Sequence, residues 1–531
     1  MKKLIFFTIL LFGQAHAADL YYCKCDTGAE AGCVAGSDSD DGLTPATAKE
    51  SGANARSAFS SLTPGDTIYF CKGGAWGGGD GSGSWSNSSS TNANRVSVST
   101  YSPSWGGTKR PYFNKTSNAS FFSLTSGQGY NFSGLHLYCS GCGISGGARG
   151  ISIDNGADYI TASDMEIEYF RHGFTVLNSG NPDFSNGIII QNSEIHHNWV
   201  QGIYAAIHTG SLTIHNNIVH HNGEANMYDH NIYIGKSSNV TITNNELYAS
   251  STGNQASNPN ATTCNGVSMV IHGLGDNYLI EGNYLHESDA TGGCYGITFD
   301  GGYGYAEGWT NVTIRNNKLK DLGQIYIGVS NCDTCVVENN ILIDSGTGIT
   351  SNYIQMPSKP EAGELWHNTN VQVRNNTFYS ASTNNSTGIN IYYNSQSGIV
   401  STNNAIHYTG TNNGFNCFSY DTGQISFTEI DNNICYHPNA PSAEWENGSG
   451  TLAAWRGATV WDQNSSESDP GFIDPANGDF RLSGSSSAIN MGNTTYYAAR
   501  DFLGLARGTN PDIGAFEGFY NPPAATALYL Q

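Results

Sequence analysis

A short phrase recurs through the middle of the chain. Apolar or Thr positions alternate with polar ones, an Asn or an Asn pair interrupts, and one more short apolar step follows. It reads TIHNNIVHH at 213–221, TITNNELYA at 241–249, LIEGNYLHE at 279–287, TIRNNKLKD at 313–321, VVENNILID at 336–344, VQVRNNTFY at 371–379 and VSTNNAIHY at 400–408. Period-two alternation marks strands with one buried face, and Asn marks turns. The second Asn falls at 217, 245, 283, 317, 340, 376 and 404, so the steps are 28, 38, 34, 23, 36 and 28 residues. A base step of roughly 23–28 residues with insertions predicts the coils of a parallel β-helix, each with three short strands. Asn side chains stacked along the turn hydrogen-bond from coil to coil, which gives the turn a reason to keep Asn.

The repeat divides the chain. Residues 18–109 read as an N-terminal cap with the first coils, including a helical stretch near 48–60. Residues 110–440 hold the stacked coils, roughly ten in all with the flanks, and 441–531 form a C-terminal capping segment and tail. A solenoid needs distinct ends, because an open last coil exposes strand edges and core. Insertions at 250–264, 286–295 and 301–310 are expected to wall one face.

Composition narrows the class. Lys2 and Lys3, the apolar run Leu4–Phe12 and Ala15-His16-Ala17 form a signal peptide over residues 1–17, so a secreted (extracellular or periplasmic) protein is expected. No later stretch approaches the roughly 18 apolar residues of a membrane span. The 65 glycines, 38% hydrophobic residues and 12% charged residues describe a turn-rich all-β protein. A net charge of −22 argues against nucleic acid as a partner, since phosphate binding needs a basic face. The 12 cysteines predict disulfides. Cys264 and Cys294 lie one coil apart and are expected to bridge. Cys139-x-x-Cys142 and Cys332-x-x-Cys335 read as local loop staples rather than zinc or redox pairs. Asp38, Asp40 and Asp41 offer a Ca²⁺ site, although an acidic capping turn is the commoner use of such a run; no metal-ligating set is assigned. A monomer is expected.

Three phrases together carry a family resemblance: DGLTPAT (41–47) with PGDTIYF (64–70), the Asn-turn coils, and DPGFIDPANGDFRL (469–482) with AIN (488–490) and PDIGAFE (511–517). They resemble secreted right-handed parallel β-helix proteins, the superfamily of pectate-lyase-like and alginate-lyase-like enzymes, mannuronan epimerases and several glycoside hydrolases. The resemblance implies the fold over nearly the whole mature chain and a polysaccharide partner. It does not select an activity, because the matching phrases are architectural.

Candidate chemistry follows from aligning the strands HGFTVLN (172–178), QGIYAAIH (201–208), HNIYIGK (230–236), GVSMVIH (266–272), YGITFDG (295–301) and QIYIGVS (324–330). Strict alternation puts Thr175, Tyr204, His208, Asn231, Tyr233, Ser268, His272, Thr298, Asp300 and Tyr326 on one outer face. These types suit β-elimination on a uronic acid. That reaction needs a donor or cation on the carboxylate, a base for the C5 proton and an acid for the leaving oxygen. Lys236 or His230 is the expected base and Tyr233 the acid. His208, His272 and Arg171 are expected on the carboxylate, with Tyr204, Asp300 and Asn231 lining the substrate path. Three alternatives remain open: a hydrolase using paired carboxylates, with Asp229 and Asp300 best placed and Asp276 and Asp289 less so; a mannuronan-type C5-epimerase with the same parts; and a non-catalytic carbohydrate-binding or adhesive solenoid.

Overall fold

A computed structural model of the chain describes residues 19–518 except 155, 178–184, 207–209, 224–227, 251–265, 288–293, 302–305, 347–350, 358–366 and 393–394. Among the described residues, the strands form three all-parallel sheets of 14, 13 and 13 members, in which every third strand pairs with the next, and one two-stranded antiparallel pair, Phe472–Asp474 with Asp479–Leu482. This is a right-handed parallel β-helix, the hand that parallel crossovers favour. The first sheet runs from Leu20–Tyr22 to Ser426–Asp431, the second from Gly83–Ser84 to Glu444–Glu446, and the third from Ala75–Trp76 to Ile434–Tyr436. The stack therefore holds about three coils more than the roughly ten read from the Asn phrase. Strands such as Val96–Tyr101 and Gln128–Ser133 stack in register without an Asn pair to announce them.

The Asn phrase builds the corner between the first and third sheets. Its first residue takes the left-handed conformation, with φ of 54° at Asn216, 55° at Asn244 and 53° at Asn375. Asn tolerates this region better than most side chains. Its second residue turns inward and is buried. Asn217 Nδ2 donates to Asn245 Oδ1 at 3.0 Å, Asn245 to Asn283 at 2.9 Å, and Asn283 to Asn317 at 2.9 Å. Asn317 continues to Asn340, Asn340 to Asn376, Asn376 to Asn404 and Asn404 to Asn433. The same Oδ1 also takes the backbone N–H of the preceding ladder Asn, as Asn283 Oδ1 does from Asn245 N at 3.0 Å. Each buried amide thus satisfies the turn's own polar backbone, which would otherwise be orphaned in the core.

Both ends are closed. At the start, the helix Gly52–Phe59 is N-capped by the Ser51 hydroxyl, and Phe59 packs edge-on against Trp85 and Tyr130. At the far end, buried Asp462 finishes the Asn ladder by accepting from Asn433 Nδ2, Trp445 Nε1 and Trp455 Nε1. The chain then runs back along the outside of the stack. The outward Asn side chains of four successive coils bind this returning segment: Asn432 donates to Met491 O, Asn403 to Tyr496 O, Asn375 to Asp512 O and Asn339 to Arg500 O. Phe472, Phe480, Ile513 and Phe516 cover Ile341, Ile343, Tyr379 and Ile434 of the third sheet.

Among the described residues, five disulfides join Cys23–Cys71, Cys25–Cys33, Cys139–Cys142, Cys332–Cys335 and Cys417–Cys435. Both Cys-x-x-Cys pairs are closed staples, and the set fits an oxidising compartment. Cys294 is disulfide-bonded, and its expected partner Cys264 lies outside the described residues. Residues 1–17, read as a signal peptide, also lie outside them. Asp38 Oδ1 accepts from the Glu50 and Ser51 amides, and Asp41 Oδ1 from Leu43 N and Thr47 Oγ1, as an acidic capping turn requires. No helix among the described residues is long and apolar enough to cross a membrane.

Candidate active site

The outer face of the second sheet carries the expected residues, but its geometry is not the simple alternation of a flat strand. Near the start of each strand two consecutive positions face inward. The first of these is Gly150, Gly173, Gly202, Asn231 or Gly296, and the second is Ile151, Phe174, Ile203, Ile232 or Ile297. At Gly202 the corner has no room for a side chain: a Cβ there would lie 2.7 Å from Asn231 O. Asn231 fits because it is fully buried in a second amide ladder. Asn198 donates to Asn222 Oδ1 at 2.9 Å, Asn222 to Asn231 Oδ1 at 3.0 Å, and Asn231 to Tyr248 O at 2.9 Å. Asn231 is therefore a structural residue of the corner, not the substrate-facing one that alternation implied. Ser268 and Tyr326 are corrected in the same way. Ser268 is buried beside the Asn231 amide, and Tyr326 points inward, its hydroxyl donating to Ile343 O at 2.9 Å.

The remaining outward positions converge. Thr175, Tyr204 and Tyr233 lie in direct register across three coils. Tyr204 packs on Tyr233 with ring centroids 5.1 Å apart, and Tyr233 sits between His230 at 5.8 Å and His272 at 5.5 Å. His230, Tyr228, Tyr295 and Asp300 line a cleft of about 270 Å³. Tyr204, Tyr233, Lys236 and Leu274 line a neighbouring one of about 450 Å³, and His272 belongs to both. Lys236 is exposed at the end of its strand, and Gly273 stacks on it so closely that a Cβ there would meet Lys236 Cα at 3.0 Å. Arg171 lies two coils earlier, its Nη1 donating to Gly146 O at 3.1 Å beside His172, which stacks on Tyr204. His208 lies outside the described residues, as does Asp289.

Hydrogen bonds fix both histidines. His230 is 4% exposed, and its Nδ1 sits 2.9 Å from Val267 O. A carbonyl only accepts, so Nδ1 carries the proton and the Nε2 lone pair is left for the cleft. His272 Nδ1 bonds Asp300 O at 2.7 Å and Glu307 Oε1 at 3.2 Å, which orients its ring in the same sense. Glu307 is buried and also accepts from Gly273 N at 3.0 Å. Sequence reasoning missed Glu307; the one available signal was its place in the 301–310 insertion. Of the carboxylates considered for hydrolysis, Asp300 lines the cleft and Asp229 is buried. Asp276 lies on the first sheet, accepting from Asn311 Nδ2 at 2.7 Å, away from this face.

Burial holds His230 well below the ordinary imidazole value of 6.5, at about 4, with the nearby His272 adding to the shift. Burial likewise lowers His172 to about 3 and His220 to about 2. In the unfolded chain these groups protonate near 6.5, so the unfolded state binds more protons once the pH falls below that value. For His230 this contribution is complete above about pH 6.5 and is lost as the pH falls toward about 4, by roughly 3 kcal/mol; for His172 and His220 the loss begins at the same pH and continues below 4. The denaturant midpoint is expected to drop steeply between pH 6.5 and 4.5; a midpoint flat across that window would contradict the burial of these imidazoles.

No family model and no curated protein matches the chain. Among solved structures it is similar to the A-module of a mannuronan C-5 epimerase from Azotobacter vinelandii, at 14% identity and a TM-score of 0.48, over 70% of this chain and 93% of that one. It is also similar to a pectate lyase, at 13% identity and a TM-score of 0.34 over 94% and 96% of the two chains. A surface adhesin of Streptococcus pneumoniae matches at 12% identity and a TM-score of 0.40, over 71% of this chain and 88% of that one. Likenesses at this level assign no activity.

Proposed function

We propose that this chain is a secreted polysaccharide-active β-helix protein, and that the outer face of its second sheet cleaves a uronate-containing polysaccharide by β-elimination. The observation that carries this reading is the His230–Tyr233–His272 cluster. There a phenol lies between two imidazoles, and each imidazole has its Nδ1 tied to a backbone carbonyl. His230 Nε2 takes the C5 proton as base, because its Nδ1 bond fixes the lone pair toward the cleft and burial keeps the ring neutral. Tyr233 gives its phenolic proton to the leaving oxygen as the C4–O bond breaks and the C4–C5 double bond forms. Lys236 offsets the charge that develops on the carboxylate, and His272, held in place by Glu307, borders it. Tyr204 and Tyr295 offer ring faces for sugar stacking, and Asp300 borders the substrate path.

The test is incubation of the mature protein with a panel of acidic and neutral polysaccharides, reading the ultraviolet absorbance of unsaturated uronate and new reducing ends in parallel. Both rise for a lyase on at least one acidic polymer. Reducing ends alone would replace this reading with a hydrolase, and binding with neither signal would leave an epimerase or a binding solenoid.

A further inference from the structure

The outer face of the third sheet holds a second concentration of titratable groups that the proposed elimination does not use. The dipeptide HH recurs in phase, in EIHHN at 194–198 and IVHHN at 218–222, so the coil repeat stacks histidine on histidine. Glu168, His196, His220, Tyr248 and His286 follow one another in register up the sheet. His197 stands over His221 at the adjoining corner, their rings stacked 5.0 Å apart.

At the lower end of this array the chemistry converges. Glu168, His196 and His197 each offer a ligand atom, and these atoms lie within 4.8 Å of one another. His136, Glu166 and Glu168 meet the same limit, so Glu168 belongs to both groups. His196 Nδ1 and His197 Nδ1 are 2.7 Å apart. At that distance one ring donates its N–H to the lone pair of the other, so both Nδ1 atoms face the shared space; when an ion enters, the proton between them shifts to the donor ring's own Nε2. Two nitrogens bound tetrahedrally to zinc at about 2.0–2.1 Å sit about 3.3 Å apart, so the pair needs to open by only about 0.6 Å to admit an ion. Glu168 Oε1 lies 2.8 Å from His136 Nε2, and Glu168 Oε2 lies 3.8 Å from His196 Nδ1, which places the carboxylate between the two groups. His136 and Glu166 line an open cleft of about 710 Å³, which gives an ion and its water ligands a path in.

We propose that Glu168, His196 and His197 bind a divalent transition-metal ion, with zinc the best fit, and that His136 and Glu166 complete its surroundings. Imidazole nitrogens with one or two carboxylates suit zinc, copper or nickel. Calcium instead requires six to eight oxygens, which this set does not supply. The site lies on a different sheet from the His230 cleft, so it stands or falls separately from the proposed elimination.

Equilibrium dialysis of the full mature chain against Zn²⁺, with metal counted by mass spectrometry, tests the proposal, and Ca²⁺ serves as the hard-ion control. About one Zn²⁺ per chain is expected, with a rise in melting temperature. Glu168→Gln and the double variant His196→Ala/His197→Ala are expected to weaken binding by more than the roughly 10–100-fold that loss of an outer partner costs. Circular dichroism of each variant without metal checks that the solenoid is intact. His221→Ala, one coil further on, keeps full binding. Loss of binding in His221→Ala with retention in the double variant overturns the placement. Preference for Ca²⁺, or no stoichiometric Zn²⁺ in the intact chain, overturns the site itself.

Discussion

His230→Ala and Lys236→Ala are each expected to lower unsaturated-uronate formation by at least about 10²-fold, the usual cost of losing an acid–base or charge-stabilising group. The two variants differ in how they fail. Lys236 is exposed, so its loss should leave the melting temperature unchanged. His230 is buried and bonded to Val267 O, so its truncation also removes packing and leaves a carbonyl unpaired. His230→Gln keeps a donor near that carbonyl and separates the two effects: it should recover stability but not turnover. Wild-type rates in both Lys236→Ala and His230→Ala would remove the base and the cation from this face. Asp300 would then be the next carboxylate to test.

The second large effect concerns the fold. Asn283 is buried. It donates to Ile242 O and Asn317 Oδ1, and it accepts from the backbone and side-chain amides of Asn245, all between 2.9 and 3.0 Å. Asn283→Leu strands the Asn245 amide groups and the Ile242 carbonyl without water to replace the lost partners. At about 1–3 kcal/mol per stranded group, the loss is expected to be on the order of 4 kcal/mol. A denaturant titration reads it as a lower midpoint. A change under about 1 kcal/mol would mean that the amides find other partners, and the ladder would then be decoration rather than support.

The solenoid was legible because one residue type does two jobs at one corner. The left-handed backbone at the first Asn and the buried amide at the second both select Asn, so the repeat survives in the sequence. The His230, Tyr233, His272 and Lys236 grouping was legible because successive coils stack strand on strand, so residues near the ends of neighbouring strands meet. Asn231 was misread because strict alternation lets only every second residue face inward, whereas at this corner two neighbours do. Glu307 reaches His272 from an insertion, where no repeat constrains its position. The histidine array on the third sheet was easy to miss in the sequence: HH at 196–197 and 220–221 reads as ordinary strand-end filling until stacking places the rings over one another.

The returning C-terminal segment gives the molecule a mechanical direction. A parallel stack is held coil to coil, so under tension it unwinds from whichever end is free. From the N-terminal end, force meets one coil at a time. From the other end, the strap from Met491 to Phe516 is bound across four coils through Asn432, Asn403, Asn375 and Asn339, and those bonds share the load in shear rather than opening in turn. A tether on the N-terminus should therefore unzip the protein in small steps at low force, while a tether on the strap should resist and then yield at once.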